Sequence, residues 1–124
     1  MAKLNSYKDL EIWKVSMDFV TEIYKLTGKF PKSELYGLTN QIRKSAVSVP
    51  SNLAEGSGRK NTREFIQFLY ISNGSLSELE TQLEIAYNLG YYSNNEYYND
   101  KIKYIRKMLV SLIYALERKL NSPK

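Results

Sequence analysis

The chain contains no cysteine and no histidine, and these two absences exclude more chemistry than any motif in it suggests. Without cysteine there are no disulfides, no thiolate nucleophile and no sulfur-ligated metal, a composition that a reducing compartment permits. Without histidine the chain lacks the side chain that titrates near neutrality, the usual general base, and the usual nitrogen ligand for zinc or non-haem iron. An enzyme built here would depend on carboxylates, lysine, tyrosine or serine alone, so no catalytic residue, bound metal or cofactor is expected. Long apolar runs are missing too: none approaches the ~18 residues of a membrane span. Met1 to Ser6 lead straight into charged residues, with no apolar signal core. The expectation is a cytoplasmic protein without membrane contact.

What is present is a chain of 124 residues, able to bury roughly two-thirds of the surface its unfolded form exposes around one core. Residues 1–124 therefore read as a single domain. A net charge of +5 and a pI near 9.3 favour an acidic partner such as nucleic acid, although many solvated helical surfaces carry as much.

Four segments repeat apolar residues at alternating steps of three and four, the spacing that stacks side chains on one helix face. The first carries Leu10, Trp13, Met17, Val20 and Tyr24. A second row, Ile12, Phe19, Ile23 and Leu26, widens the stripe beyond what one bundle core needs, and surplus apolar surface of that kind marks an interface. Gly28 and the Phe30-Pro31 pair stop this helix. Ser33 caps a second helix bearing Leu35, Leu38, Ile42, Ala46, Val49 and Leu53. Asn61 with Glu64 resembles a capping box for a third, with Phe65, Phe68, Ser72, Leu76, Leu79, Leu83 and Ala86, closed by Gly90. Ser93 with Glu96 forms the same box before a fourth, with Ile102, Ile105, Leu109, Leu112, Leu116 and Leu120, after which residues 121–124 read as a frayed tail.

The helices thus span about 7–27, 34–56, 62–89 and 94–120. Short connections force antiparallel neighbours, and the expected fold is all-α: an antiparallel up-down-up-down four-helix bundle. Leu10, Trp13, Val49, Leu79, Leu83, Ile105, Leu109 and Leu112 are its expected core.

Several segments carry information beyond the fold. Pro50 removes one backbone hydrogen bond from the second helix and predicts a kink. Beside the apolar row of that helix runs a polar one, Gln41, Ser45, Ser48, Asn52 and Glu55. It reads either as a partly buried hydrogen-bond seam between helices or as a ligand or partner site built on that seam. Ser72, Gly74 and Ser75 are small enough to receive the second helix around Ala46 and Ser48. Glu78, Glu80 and Glu84 read as a solvated acidic face, because the Glu-x-x-His pattern of di-iron bundles has no histidine to use.

Arg43, Lys44, Arg59, Lys60 and Arg63 gather around the second helix and the turn after it, and are the candidate nucleic-acid-binding residues. Lys101, Lys103, Arg106 and Lys107 crowd the fourth helix. Either group can neutralise phosphates, or simply solvate a face. Tyr91, Tyr92, Tyr97 and Tyr98 flank one turn, where they either pack over the end of the bundle or stack on unpaired bases.

The motifs also have a recognisable order. Tyr7-Lys8-Asp9-Leu10-Glu11-Ile12-Trp13 is followed by Ile23-Tyr24, Phe30-Pro31, Glu34-x-x-Gly37-Leu38, Gln41-Ile42-Arg43-Lys44-Ser45-Ala46 and the stretch from Ser48 to Gly56. Then come Phe65-Ile66-x-Phe68-Leu69, Gly74-Ser75-Leu76-x-Glu78-Leu79-Glu80-Thr81-Gln82-Leu83 and Leu89-Gly90-Tyr91. Over nearly its whole length the chain resembles the bacterial four-helix-bundle proteins first noticed as reading frames in intervening sequences of large-subunit (23S) ribosomal RNA genes. The resemblance implies an all-α bundle, assembly into a homopentameric ring, and no established catalytic activity. It also implies kinship with the accessory variability protein of diversity-generating retroelements, a basic pentamer that binds nucleic acid and a reverse transcriptase. The resulting expectation is a non-enzymatic homo-oligomer with a basic surface for RNA or DNA; the alternative is a protein-interaction scaffold that binds no nucleic acid.

Overall fold

The computed structural model describes residues 6–122. The expectations placed on Met1–Asn5, and on Pro123 and Lys124 in the tail, lie outside the described residues. Among the described residues there are four α-helices and no strand. They are α1 (Glu11–Thr27), α2 (Leu38–Ser57), α3 (Thr62–Asn88) and α4 (Asn95–Asn121), with 3-10 turns at Tyr7–Asp9 and Lys32–Glu34.

Paired side chains show how neighbours run. Along α2 and α3, Ser48 meets Ser75, Val49 meets Ser72, and Arg59, just past α2, lies over Phe68. Along α3 and α4, Tyr70 reaches Glu117, Glu80 meets Arg106, and Glu84 meets Asn95. In both pairs one residue number falls as the other rises, so the neighbours are antiparallel. Arg43 near the start of α2 likewise touches Tyr24 and Thr27 at the end of α1. Since α1 also packs on α4, the four helices close into a bundle.

Local chemistry moves three helix starts. The first helix does not begin at Tyr7: Ser6 Oγ accepts the Lys8 amide at 3.0 Å to cap a 3-10 turn, and Leu10 then turns extended (φ −73°, ψ 124°). The second does not begin at residue 34 under a Ser33 cap. Ser33 lies inside the 3-10 turn after Pro31, and Gly37 (φ −111°, ψ −113°) holds the chain out of helix until Leu38. Glu34 Oε1 accepts the Leu38 amide at 3.3 Å in place of the expected serine. The fourth helix takes Asn94, not Ser93, as its N-cap residue, with no side-chain cap bond.

Two end signals act as read. Asn61 Oδ1 accepts the Glu64 amide at 2.9 Å, which satisfies one orphan donor of α3. Gly90, at φ 80°, closes α3: its own N–H bonds Tyr87 O at 2.9 Å and the Tyr91 N–H bonds Ala86 O at 3.0 Å. This is the left-handed glycine exit that spares a side chain the steric cost. Gly28 after α1 stays in right-handed geometry (φ −62°).

The core contains Val49, Leu79, Leu83, Ile105 and Leu109, all buried as expected; Leu10, Trp13 and Leu112 are half-buried against it. On α1 the inward row is Ile12, Ser16, Phe19, Ile23 and Leu26. The row read first flanks it, with Leu10, Trp13 and Val20 half-buried against the core and Met17 and Tyr24 exposed. On α3, Ile66 and Leu69 replace Phe65 and Phe68 as the buried residues. Helix α2 runs from Leu38 to Ser57 without interruption, and the Pro50 ring is buried. No helix of the described residues is long and apolar enough to cross a membrane.

Candidate functional site

The polar row of α2 divides by depth. Gln41 and Glu55, at its two ends, are exposed, whereas Ser45 is buried and Ser48 and Asn52 are half-buried. Asn52 Nδ2 donates to Ser48 O at 2.8 Å and lies 2.9 Å from Ser48 Oγ, which in turn sits 2.8 Å from Ser75 Oγ. One turn away Ser72 Oγ donates to Val49 O at 2.8 Å. The middle of the row is therefore a hydrogen-bonded clamp between α2 and α3. Buried hydroxyls need such partners, because an unpaired one costs more than the bond itself contributes.

The small residue that lets the helices approach is not the expected one. A Cβ at Gly74 would meet nothing within 4 Å, whereas at Gly56 it would lie 2.6 Å from Phe68 Cβ and 3.0 Å from Phe65 Cδ1. Ser72 and Ser75 do face α2, and Gly74 faces away.

The five candidate basic residues form two groups. Arg43 and Lys44 lie near the start of α2, while Arg59, Lys60 and Arg63 lie at the turn into α3, about 24 Å further along at 1.5 Å per residue. Arg43 is anchored: its Nε donates to Thr27 Oγ1 at 2.9 Å, its Nη2 to Tyr24 O at 3.4 Å, and its guanidinium lies 4.5 Å over the Tyr24 ring. It thereby satisfies carbonyl and hydroxyl acceptors in the last turn of α1, where a cation also suits the helix dipole. Arg59 pairs with Glu55 at 3.2 Å and lies 4.7 Å over the Phe68 ring. Lys44, Lys60 and Arg63 are exposed.

Residues 28–63 hold seven lysines and arginines against only Glu34 and Glu55, and so account for the whole net charge of +5. Helix α2 with its flanking turns is the cationic part of the molecule, and the rest is neutral. The fourth-helix cations divide, with Lys103 and Lys107 exposed and the other two engaged. Arg106 binds Glu80 at 2.9 Å and Ser77 at 3.2 Å, and Lys101 lies 5.6 Å over the Tyr97 ring.

At the end of the bundle that holds the 28–37 and 89–94 connections, Tyr91, Tyr92 and Tyr97 point their hydroxyls at the protein's own acceptors. Tyr91 donates to Glu34 at 2.7 Å, and Tyr97 donates to Glu22. The Tyr92 hydroxyl sits 3.0 Å from Leu83 O and 2.8 Å from Asn95 Oδ1. Rings of Phe30, Tyr91, Tyr92 and Tyr98 pack at centroid distances of 5.5 to 6.1 Å. Burial above all, with Glu84 nearby, pushes the Tyr92 hydroxyl well above its ordinary pKa of 10.0. The carboxylate bonds do the same for Tyr91 and Tyr97. The cluster of Tyr91, Tyr92 and Tyr97 is thus a structural staple lined by carboxylates, not a platform for phosphate-bearing bases.

One feature was not legible as a unit. A cleft of about 500 Å³ opens between the end of α1, the turn before α2 and the outer stripe of α2, lined by Tyr24, Tyr36, Asn40, Arg43, Lys44 and Val47 among others. Its signal in the sequence is the i, i+3, i+4, i+7 spacing of Asn40, Arg43, Lys44 and Val47, next to the apolar row and easily taken for an ordinary solvated face. Among the described residues no group of three or more acidic, cysteine or histidine side chains gathers to hold a metal ion.

Comparison with known proteins places these features. The family model described as 23S rRNA-intervening sequence protein matches residues 8–111. Among solved structures, a protein of unknown function from the S23 ribosomal protein family of Bacteroides thetaiotaomicron is similar with a TM-score of 0.75. It is 24% identical, and the match covers 83% of this chain and 95% of that one. At that identity the likeness speaks for the fold alone. No curated protein matches the chain.

Proposed function

We propose, from the premise that the chain belongs to the 23S rRNA-intervening sequence protein family, that it is a non-enzymatic, self-associating cytoplasmic bundle whose α2 side presents a basic surface to RNA or DNA. The observation that carries this reading is the placement of the entire net charge on residues 28–63. Phosphate neutralisation releases condensed counterions, so a concentrated cationic face attracts nucleic acid without reading its sequence. Self-association, as a homopentamer by resemblance, is supported by the apolar side chains that α1 leaves exposed, Met17 and Tyr24. A ring would repeat the cationic face around its axis.

A scaffold that binds only protein is the second reading, supported by the same exposed apolar side chains. Salt separates the two, because nucleic-acid affinity falls steeply with ionic strength while an apolar interface responds little. The test is fluorescence anisotropy with single-stranded RNA and duplex DNA from low to physiological salt, on the native protein and on the R59Q/K60Q/R63Q variant. The expected result is weaker binding by the variant on every sequence. Its salt dependence should be flatter by about 0.9 per lost phosphate contact on duplex DNA and about 0.7 on single strands. Absence of binding at low salt would remove the nucleic-acid reading and leave the scaffold.

A further inference from the structure

We propose that the cleft between α1 and α2 takes an unpaired nucleotide of a single strand, its base against Tyr36 and its phosphate against Lys44 and Arg43. This rests on the nucleic-acid reading and specifies where on the cationic face a strand is held.

The geometry follows from helix periodicity. Asn40, Arg43, Lys44, Val47 and Ser48 fall at i, i+3, i+4, i+7 and i+8, so they form one stripe of α2. Tyr24, in the last turn of α1, forms one wall, and Leu35 and Tyr36, in the turn before Leu38, form the other. The resulting volume of about 500 Å³ lies within the range of small-ligand sites, roughly 300 to 1,000 Å³.

The lining chemistry chooses the occupant. Two cations border the cleft and no carboxylate does, so the local field favours an anion. Asn40 is exposed and supplies a neutral donor and acceptor, which suit the edge of a base, whereas the Ser48 hydroxyl is held by Ser75 and Asn52. Tyr36 is 92% exposed. A ring so placed adds little to the fold, in contrast to Tyr91, Tyr92 and Tyr97 at the same end of the bundle, whose hydroxyls are bound by protein acceptors. Arg43 is already fixed by Thr27 and Tyr24, so little side-chain freedom is lost when an anion reaches it.

The single strand follows from the aromatic. A duplex keeps its base faces inside the stack, whereas an unpaired base presents a face that any exposed ring can cover. A second copy of the chain is the competing occupant of the apolar part, but it leaves the two cations of the lining without carboxylates unless its own acidic face meets them.

Tyr36→Ala is suited to a test because the side chain is almost fully exposed, and circular dichroism checks that the variant folds. The probes are a fluorescein-labelled oligouridylate and the same strand annealed into a duplex, titrated at one low salt concentration and along a salt series. Tyr36→Ala should weaken binding of the single strand about 10-fold, the loss of one stacked base, leave the duplex unchanged, and keep the salt slope. Tyr36→Phe should retain single-strand affinity, and Lys44→Gln should weaken binding and flatten the slope on the single strand. If native protein and Tyr36→Ala bind the single strand equally, the cleft is not the base site, while the cationic-face reading stands. A Tyr36→Ala loss that is equal on duplex and single strand overturns the stacking role. A change of oligomeric state on light scattering assigns the cleft to a second copy instead. No binding by native protein removes this proposal together with the reading it rests on.

Discussion

The two ends of the bundle solve the same problem, covering helix termini, with opposite chemistry. At the end holding the 28–37 and 89–94 connections, the hydroxyls of Tyr91, Tyr92 and Tyr97 turn inward and consume Glu34, Asn95 and Glu22, and Tyr36 alone of the connection tyrosines stands in solvent beside the cleft. At the other, a four-residue connection from Gly58 to Asn61 leaves Arg59, Lys60 and Arg63 at the surface. Both carry aromatics or cations that suit nucleic acid when read as sequence. The difference is what the side chains already touch: a tyrosine hydroxyl given to a carboxylate is spent on the fold, and a cation with solvent around it is still available.

The largest expected effect tests whether the aromatic end is the structural one. Tyr92→Ala should destabilise the protein by about 2 to 3 kcal/mol, less than the ~3–5 of a fully buried aromatic because the ring is half-buried. R59Q/K60Q/R63Q should shift stability by about 1 kcal/mol or less, as surface changes do. Urea denaturation of both variants checks the contrast, and equal costs would break it. The same hydroxyl gives this end a pH signature. Its folded-state pKa is raised above the ordinary 10.0 by burial and by Glu84. The protonated hydroxyl's contribution is therefore fully present below about pH 10 and is lost as pH rises through the folded value. Denaturation midpoints should be level from neutral pH to about 10 and fall above it, with a smaller fall in Tyr92→Phe. An unchanged fall would assign the alkaline sensitivity to Tyr70, Tyr91, Tyr97 and Tyr98, whose pKa values move the same way.

The next contrast asks whether the cationic end is loosely built because its surface is bare. Gly56, two residues before that connection, leaves no room for a methyl group, since Phe68 Cβ would lie 2.6 Å away. Phe68 Cβ is fixed to the α3 backbone, so α2 and α3 must separate to admit it. Gly56→Ala should destabilise by about 1 to 2 kcal/mol, overpacking outweighing the gain in helix propensity. Gly74→Ala, where nothing lies within 4 Å, should stabilise by about 1 kcal/mol. Chemical denaturation of the pair reads opposite signs. Two stabilising results would mean that the cationic end gives way easily.

The same glycines mark where the sequence was legible and where it was not. Four helices, their short connections, and the core positions Val49, Leu79, Leu83, Ile105 and Leu109 follow from apolar spacing and end signals alone. Which row of α1 lies deepest does not, because the buried row is broken by Ser16 while the flanking row of Leu10, Trp13, Met17, Val20 and Tyr24, half-buried or exposed, is unbroken. On α3 the buried row passes through Ser72 and Ser75, whose small size did mark them as receiving α2, but on α2 it passes through Thr39, Ser45 and Gly56, which the apolar spacing left out. Small and hydroxyl residues were chosen at these points by helix-to-helix distance, which periodicity does not encode. The candidate site was partly legible for the same reason. Its cations stand out by type, but Arg43 is fixed by a contact sixteen residues away and the cleft needs Tyr24 and Tyr36 brought to one stripe of α2 by the fold.

The smallest expected effect probes the carboxylate that pairs with Arg59 at the cationic end. Glu55 lies in the last turn of α2, where the helix dipole disfavours a negative charge, and its bond to Arg59 at 3.2 Å is exposed on both sides. An exposed i,i+4 pair contributes about 0.3 to 0.5 kcal/mol, and removal of the dipole conflict offsets part of that. Glu55→Gln should therefore leave stability within about 0.5 kcal/mol of the native protein. Its effect on binding runs the other way. The substitution raises the local charge by one and frees the Arg59 guanidinium, so that phosphate affinity should rise and the salt dependence steepen by up to about 0.7 on single strands and 0.9 on duplex DNA. The gain should shrink as ionic strength rises and the Debye length shortens. If Glu55→Gln binds as the native protein does, with an unchanged slope, while R59Q/K60Q/R63Q loses binding, then Lys60 and Arg63 carry the phosphate contacts and Arg59 remains a structural partner of Phe68. If neither variant changes binding, the connection from Gly58 to Asn61 is as inward-looking in function as the aromatic end, and the contrast between the two ends is one of stability alone.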